Sequence, residues 1–193
     1  MTKSIFETLK LLGVASLDTQ EDYASETRDV KPLRVCRDSV SGVIYIDGFY
    51  TGDDTYKKGD YRQETVRRAG EPSYEQQADA TRRANAFRNY YAGKTIADFG
   101  CGLGDFLRLV KPDTAACVGI ELQQDAVDAL RGAGVACETS IDALDDGSLD
   151  ALFSFHVLEH LPDPLEILGR LKPKLKQGGH AIFEVPHARD FLL

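Results

Sequence analysis

The sequence predicts an α/β fold: a doubly wound, mainly parallel sheet of about five strands behind an N-terminal extension. Two observations carry this reading. After Gly93, short apolar runs alternate with helix-period segments, the pattern of parallel strands joined by crossover helices. The first of those runs ends in three alternating glycines, Gly100, Gly102 and Gly104, and leads straight into a helical pattern. Such a turn lies at the carboxyl edge of the sheet, where ligands collect in these folds. The length, 193 residues with 42% hydrophobic and 28% charged content, suits one full core plus a small appendage.

Taken in order, residues 1–72 form the extension or lid and residues 73–193 the ligand-binding domain. Apolar residues at 5, 6, 9, 11, 12 and 14, interrupted by Glu7 and Lys10, predict an amphipathic helix over Met1–Val14 and not a signal sequence. From about 15 to 70 the pattern is irregular, with one strand-like run at Val43–Ile46 and an aromatic, glycine-rich stretch at Phe49–Tyr61. Tyr50, Tyr56 and Tyr61 either pack this extension or close over a ligand. Ser73–Tyr91 contains no Gly or Pro, and Ser73 followed by Gln76 makes a capping box, so a long helix is expected. Arg82 and Arg83 are read as part of its solvated face, with approach to a carboxylate as the alternative.

The expected strands are Thr95–Phe99, Ala116–Ile120, Val135–Cys137, Leu149–Phe155 and His180–Val185. Between them fall helices at Leu103–Val110, Gln123–Arg131 and Pro164–Lys174, with a short one near Val157–His160. Five strands with helices between them imply a Rossmann-like parallel sheet covered on both faces.

Composition narrows the function classes. The net charge is −8 with Lys and Arg scattered among acids, so the basic footprint of a nucleic-acid binder is missing and no nucleic-acid partner is expected. The four cysteines, at 36, 101, 117 and 137, form no CxxC pair; this reads as a reduced, cytoplasmic protein. No run approaches the roughly 20 apolar residues that span a bilayer, and no membrane partner is expected.

The chemistry concentrates after the first long strand. In Ile96-Ala97-Asp98-Phe99-Gly100-Cys101-Gly102-Leu103-Gly104-Asp105 the glycines let the backbone turn tightly and approach a ligand. A glycine-rich turn alone suits dinucleotides as well. Asp98 and Asp105 would repel a pyrophosphate, however, and the spacing is GxGxG instead of GxGxxG. Both acids suit a ligand carrying positive charge, such as S-adenosylmethionine with its ammonium and sulfonium. Glu121, 17 residues after Gly104 and followed by Leu122, stands near the interval at which an acid meets ribose hydroxyls. In Glu138-Thr139-Ser140-Ile141-Asp142, Asp142 is the candidate acceptor for an adenine amino group, with Ile141 packed on the ring; the alternative is that Ser140 or Asp142 caps the next turn.

The fourth strand leads into Phe155-His156-Val157-Leu158-Glu159-His160-Leu161-Pro162-Asp163-Pro164. This segment resembles the HVLEHL…DP stretch of class I S-adenosylmethionine-dependent methyltransferases. The glycine loop, the glutamate at 121 and Leu171-Lys172-Pro173…Gly178-Gly179 match the same family in order, over about residues 73–190. The resemblance implies S-adenosylmethionine as cofactor, held by Asp98, Gly100, Cys101, Gly102, Gly104, Glu121, Leu122, Ile141, Asp142 and His156. It also implies transfer of the sulfonium methyl to an oxygen, nitrogen or carbon nucleophile of a small-molecule acceptor, a sugar derivative among the candidates. His156 is then the best-placed general base, since imidazole titrates near neutral pH; a structural or cofactor-shaping role is the alternative. Glu159 and His160 are expected to pack or hydrogen-bond within the fold. Methyl transfer can also proceed by alignment alone.

Val35–Tyr45 resembles the start of a zinc-ribbon segment found ahead of some family members. Only Cys36 remains, with Ser39 where a second thiolate would stand; zinc needs about four ligands, so no metal is expected. Family members usually add two more strands, whereas this chain ends eight residues beyond Val185, and a domain truncated after the fifth strand is expected. The second functional reading is a non-catalytic S-adenosylmethionine-binding regulatory or partner module. A third, an NAD-dependent oxidoreductase, is disfavoured by Asp98 and Asp105.

Overall fold

The computed structural model describes residues 4–27, 30–47, 74–161 and 163–186. The chain divides into two compact units, one up to Thr51 and one from Gly52 onward. Phe49–Tyr61, with its three tyrosines, and Ser73 of the expected capping box lie outside the described residues.

In the first unit helix α1 spans Ile5–Leu11, with Ser4 accepting the Glu7 amide at its N-cap. Three strands follow, β1 (Gln20–Ala24), β2 (Val35–Asp38) and β3 (Ile44–Tyr45), in an antiparallel sheet of order β1-β2-β3. Only β3 was expected. The sequence Gln-Glu-Asp-Tyr-Ala of β1 is polar and mostly exposed, so it carries no apolar alternation; pairing to β2 makes it a strand. Phe6, Ala15, Cys36 and Tyr45 form a small core, with Phe6 and Tyr45 stacked at 5.9 Å. Cys36 is therefore a packing residue of this core. The buried Asp38 carboxylate accepts the Ser41, Val40 and Ser16 amides and the Thr19 hydroxyl. The Ser41 amide, then Thr19, hold it well below the usual carboxylate range.

The second unit opens on α2 (Tyr74–Tyr91), the expected long helix. Strands β4 (Thr95–Phe99), β5 (Ala116–Ile120) and β7 (Leu149–Phe155) have the predicted bounds, and β6 (Ala136–Glu138) is shifted by one residue. Strand β8 begins earlier than expected, running Leu175–Glu184. It pairs with β7 at Leu175 and again from His180 onward, and the residues between bulge out, with Gly178 at φ +78°. The helices are α3 (Asp105–Val110), α4 (Gln124–Gly132) and α5 (Pro164–Leu171), with 3₁₀ turns at Ile141–Ala143, Leu158–His160 and Lys172–Lys174.

All five strands are parallel, in the order β6-β5-β4-β7-β8. Alternation along the strands sends Ile96, Ala151 and Phe153 into a core with Phe106, Leu107, Val127 and Leu130. Ala97, Leu149 and Leu152 enter a second core with Ile141 and Leu171. The two clusters are the two covered faces of a doubly wound sheet. The chain builds outward from β4 to β6, then returns to β7 on the other side of β4. The crevice beyond the ends of β4 and β7 is thus the topological switch point.

Candidate cofactor site and catalytic cluster

Four loops meet at that edge. From β4, Gly100, Gly102 and Gly104 have φ of +75°, +57° and +73°, a left-handed region that costs other residues about 1–2 kcal/mol. A Cβ at Gly100 would collide with Cγ2 of Val157, and one at Gly104 with Cδ2 of Leu130. The loop therefore lies pressed between the β7 loop and α4. Gly100→Ala combines the backbone strain with the Val157 collision and should weaken S-adenosylmethionine binding at least about tenfold. Calorimetry checks this; unchanged affinity would mean that the contact with Val157 does not set the loop position.

Glu121, just after β5 and buried, ties the loop down. Its Oε2 accepts the Gly102 amide at 2.8 Å and its Oε1 the Gln123 amide at 3.0 Å. Each oxygen keeps a lone pair for a ligand. Leu122 and Leu103 are exposed apolar side chains next to this acid and on the glycine loop.

Asp98 lies beneath the loop on β4 and is 3% exposed. Its Oδ1 is buried and has no hydrogen-bond partner among the described residues. Burial pushes its pKa up to about 8; Arg83 pulls the other way and Glu121 adds to the rise. An unpartnered buried carboxylate is a costly feature, and a cation at this point would supply what it lacks. The residues therefore fit a ligand with an ammonium beside a backbone cradle, as S-adenosylmethionine is.

Cys101 contributes backbone to the loop, while its sulfur packs, with Cys137, into the space left by the missing side chain of Gly119. The Cys137 contact and burial push its thiol up. At the edge strand Ser140 caps the 3₁₀ turn, accepting the Asp142 amide, so the capping alternative holds for Ser140. The Asp142 carboxylate is exposed and pairs with Arg170 at 2.9 Å, and Ile141 is buried in the second core.

On the β7 side, His156 is the one non-glycine residue with positive φ among the described residues, at +56°. Its amide donates to the Glu184 carbonyl at 2.8 Å. Its ring stands between two carboxylates, Nε2 at 3.2 Å from Glu184 and Nδ1 at 3.4 Å from Glu159.

Glu184 also receives Arg83, through Nη2 at 2.6 Å and Nε at 3.1 Å, and Arg82 at 2.8 Å. Burial raises its pKa, but Arg83 and Arg82 outweigh that and hold it at about 2. The alternative reading, approach to a carboxylate, thus holds for both arginines, and the solvated-face reading is corrected for Arg83. Arg83 has a side chain only 14% exposed, with its guanidinium 4.5 Å from the centroid of Phe155. A sequence signal for this existed: Ala80, Arg83, Ala84, Phe87 and Tyr91 fall at helical spacing on one stripe, and the four apolar members are buried or pack on the core. Glu184 lies inside the expected strand and was not singled out because its partners Arg82 and Arg83 are about a hundred positions away.

A family model described as "Methyltransferase domain" matches residues 72–192. The ubiquinone biosynthesis O-methyltransferase of Ralstonia nicotianae is 32% identical over 114 residues, covering 53% of this chain and 48% of that protein. That of Methylococcus capsulatus is 30% identical over 102 residues, covering 48% and 43%. A crystal structure of an S-adenosylmethionine-dependent methyltransferase from Archaeoglobus fulgidus superposes with a TM-score of 0.50 at 27% identity, over 58% of this chain and 54% of that one. The chain spans about half the length of the curated relatives it matches. The family match covers all five strands of the parallel sheet and the glycine loop, and the chain belongs to the class I S-adenosylmethionine-dependent methyltransferases.

Proposed function

We propose that this protein binds S-adenosylmethionine at the switch point and methylates a hydroxyl oxygen of a small-molecule acceptor, with His156 as general base. The orphaned Asp98 Oδ1 beneath the glycine loop is the observation that carries the reading. In it Asp98 takes the ammonium, and the backbone of Gly100, Cys101, Gly102 and Gly104 cradles the amino-acid portion. Glu121 accepts from the ribose hydroxyls, and Leu122 and the Ile141–Asp142 turn flank the adenine end. When bound, the cofactor supplies an electrophilic methyl group on a positively charged sulfur. With that group in place, His156 would take the hydroxyl proton of the acceptor as its oxygen receives the methyl. An oxygen acceptor is favoured by the O-methyltransferase names of the curated relatives; a sugar hydroxyl rests on the sequence resemblance alone.

The test is formation of S-adenosylhomocysteine with a panel of phenols, catechols, simple alcohols and sugars. Turnover with a hydroxyl acceptor is expected, and His156→Gln should lower kcat about 100-fold or more, a larger effect than its loss of S-adenosylmethionine affinity. Full activity in that variant would replace base catalysis by alignment. Tight cofactor binding without turnover on any acceptor would overturn methyl transfer in favour of a non-catalytic module.

A further inference from the structure

We propose that Glu184 is the positioning residue for His156, holding the imidazole proton on Nε2 so that Nδ1 is the nitrogen left to accept one. The inference rests on the reading of His156 as the base. A neutral imidazole has a single N–H, yet here both ring nitrogens face carboxylates. Which nitrogen donates depends on which carboxylate is the better fixed acceptor.

Glu184 is the fixed one. A single oxygen of it gathers three guanidinium N–H groups from Arg82 and Arg83. Arg83 is in turn pinned against Phe155. The His156 Nε2 contact, at 3.2 Å, is to this same Glu184 oxygen; a carboxylate held by two guanidinium groups stays ionised and can only accept, so the contact is a hydrogen bond when Nε2 carries the proton. Glu159 sits on a one-turn 3₁₀ segment, and its ion pairs among the described residues are with His156 and His160, at 3.4 and 4.0 Å.

The backbone supports the same assignment. The residue whose side chain holds the ring also accepts the His156 amide through its carbonyl. That bond fixes the left-handed turn in which a non-glycine residue is strained. A proton arriving at Nδ1 then makes an imidazolium between Glu184 and Glu159, with Arg82 and Arg83 offsetting the charge of the former. Orientation of a base by a second carboxylate also fixes its tautomer.

Histidine-labelled ¹⁵N NMR tests this without an acceptor, with the His156 signals identified by their loss in His156→Gln. Above neutral pH the wild-type protein should show one tautomer, Nε2–H, in its ring ¹⁵N shifts. Glu184→Ala should shift the balance toward the Nδ1–H form. Glu159→Ala should keep the Nε2–H form. A wild-type Nδ1–H tautomer, or an Nε2–H resonance unchanged in Glu184→Ala, would overturn the proposal. Should Glu184→Ala fail to fold by thermal melting, the wild-type and Glu159→Ala spectra still decide: loss of Nε2–H in Glu159→Ala would overturn it. Full turnover in His156→Gln would remove the base reading while leaving the tautomer result standing, so the two failures are distinguishable.

Discussion

Asp98→Asn is expected to abolish S-adenosylmethionine binding and, in the same protein, to raise cofactor-free stability above neutral pH. The two effects have one cause. Burial holds the Asp98 pKa at about 8, against about 4 for an unfolded aspartate. Between those values the folded protein holds a proton that the unfolded chain releases. Its contribution to stability is complete below about pH 4 and is lost as pH rises toward 8, at up to about 1.4 kcal/mol per pH unit.

Asparagine keeps the shape and cannot ionise, so this part of the pH dependence vanishes. Thermal melts of both proteins between pH 5 and about pH 8 read it directly. Binding an ammonium demands the carboxylate form, so at pH 7 the wild-type protein should release a proton on binding. Calorimetry in two buffers of different ionisation enthalpy measures that release, and the variant should show neither heat of binding nor proton. Retained affinity in Asp98→Asn would remove this residue from the site.

Glu121→Ala carries the second large effect. The substitution leaves the Gly102 and Gln123 amides without their acceptor and removes the anion proposed to meet the ribose. The unpartnered amides cost about 1–3 kcal/mol each in the free protein too and so lower stability, whereas each lost ribose hydrogen bond to the charged group costs about 1.5–3 kcal/mol of binding. Affinity should therefore fall about 100-fold or more. Glu121→Gln keeps one oxygen acceptor and should fall between the two. Isothermal calorimetry checks the series, and equal affinities across it would show that the acid only braces the loop.

The sheet was readable from sequence because its information is local. Ile96–Ala97 and Leu152–Phe153 are buried on both faces, so β4 and β7 appear as short, mainly apolar runs with sharp ends. The glycine loop, Glu121 and the segment at His156 were readable because each lies within a few residues of a strand end. What escaped was long-range. The polar strand β1 exists by pairing, and the bulge in β8 is visible only against its partner. The Arg82–Arg83–Glu184 cluster joins residues about a hundred positions apart. The burial of the Cys101 sulfur beside Gly119 likewise depends on how β5 faces the loop.

On the proposed function, the carboxyl edge between β4 and β7 takes a cationic nucleoside and not a pyrophosphate. Calorimetric titration of the wild-type protein with S-adenosylmethionine, S-adenosylhomocysteine and NAD tests it most directly. Binding of the first two with no response to NAD is the predicted result; tight NAD binding with no response to the other two would contradict it.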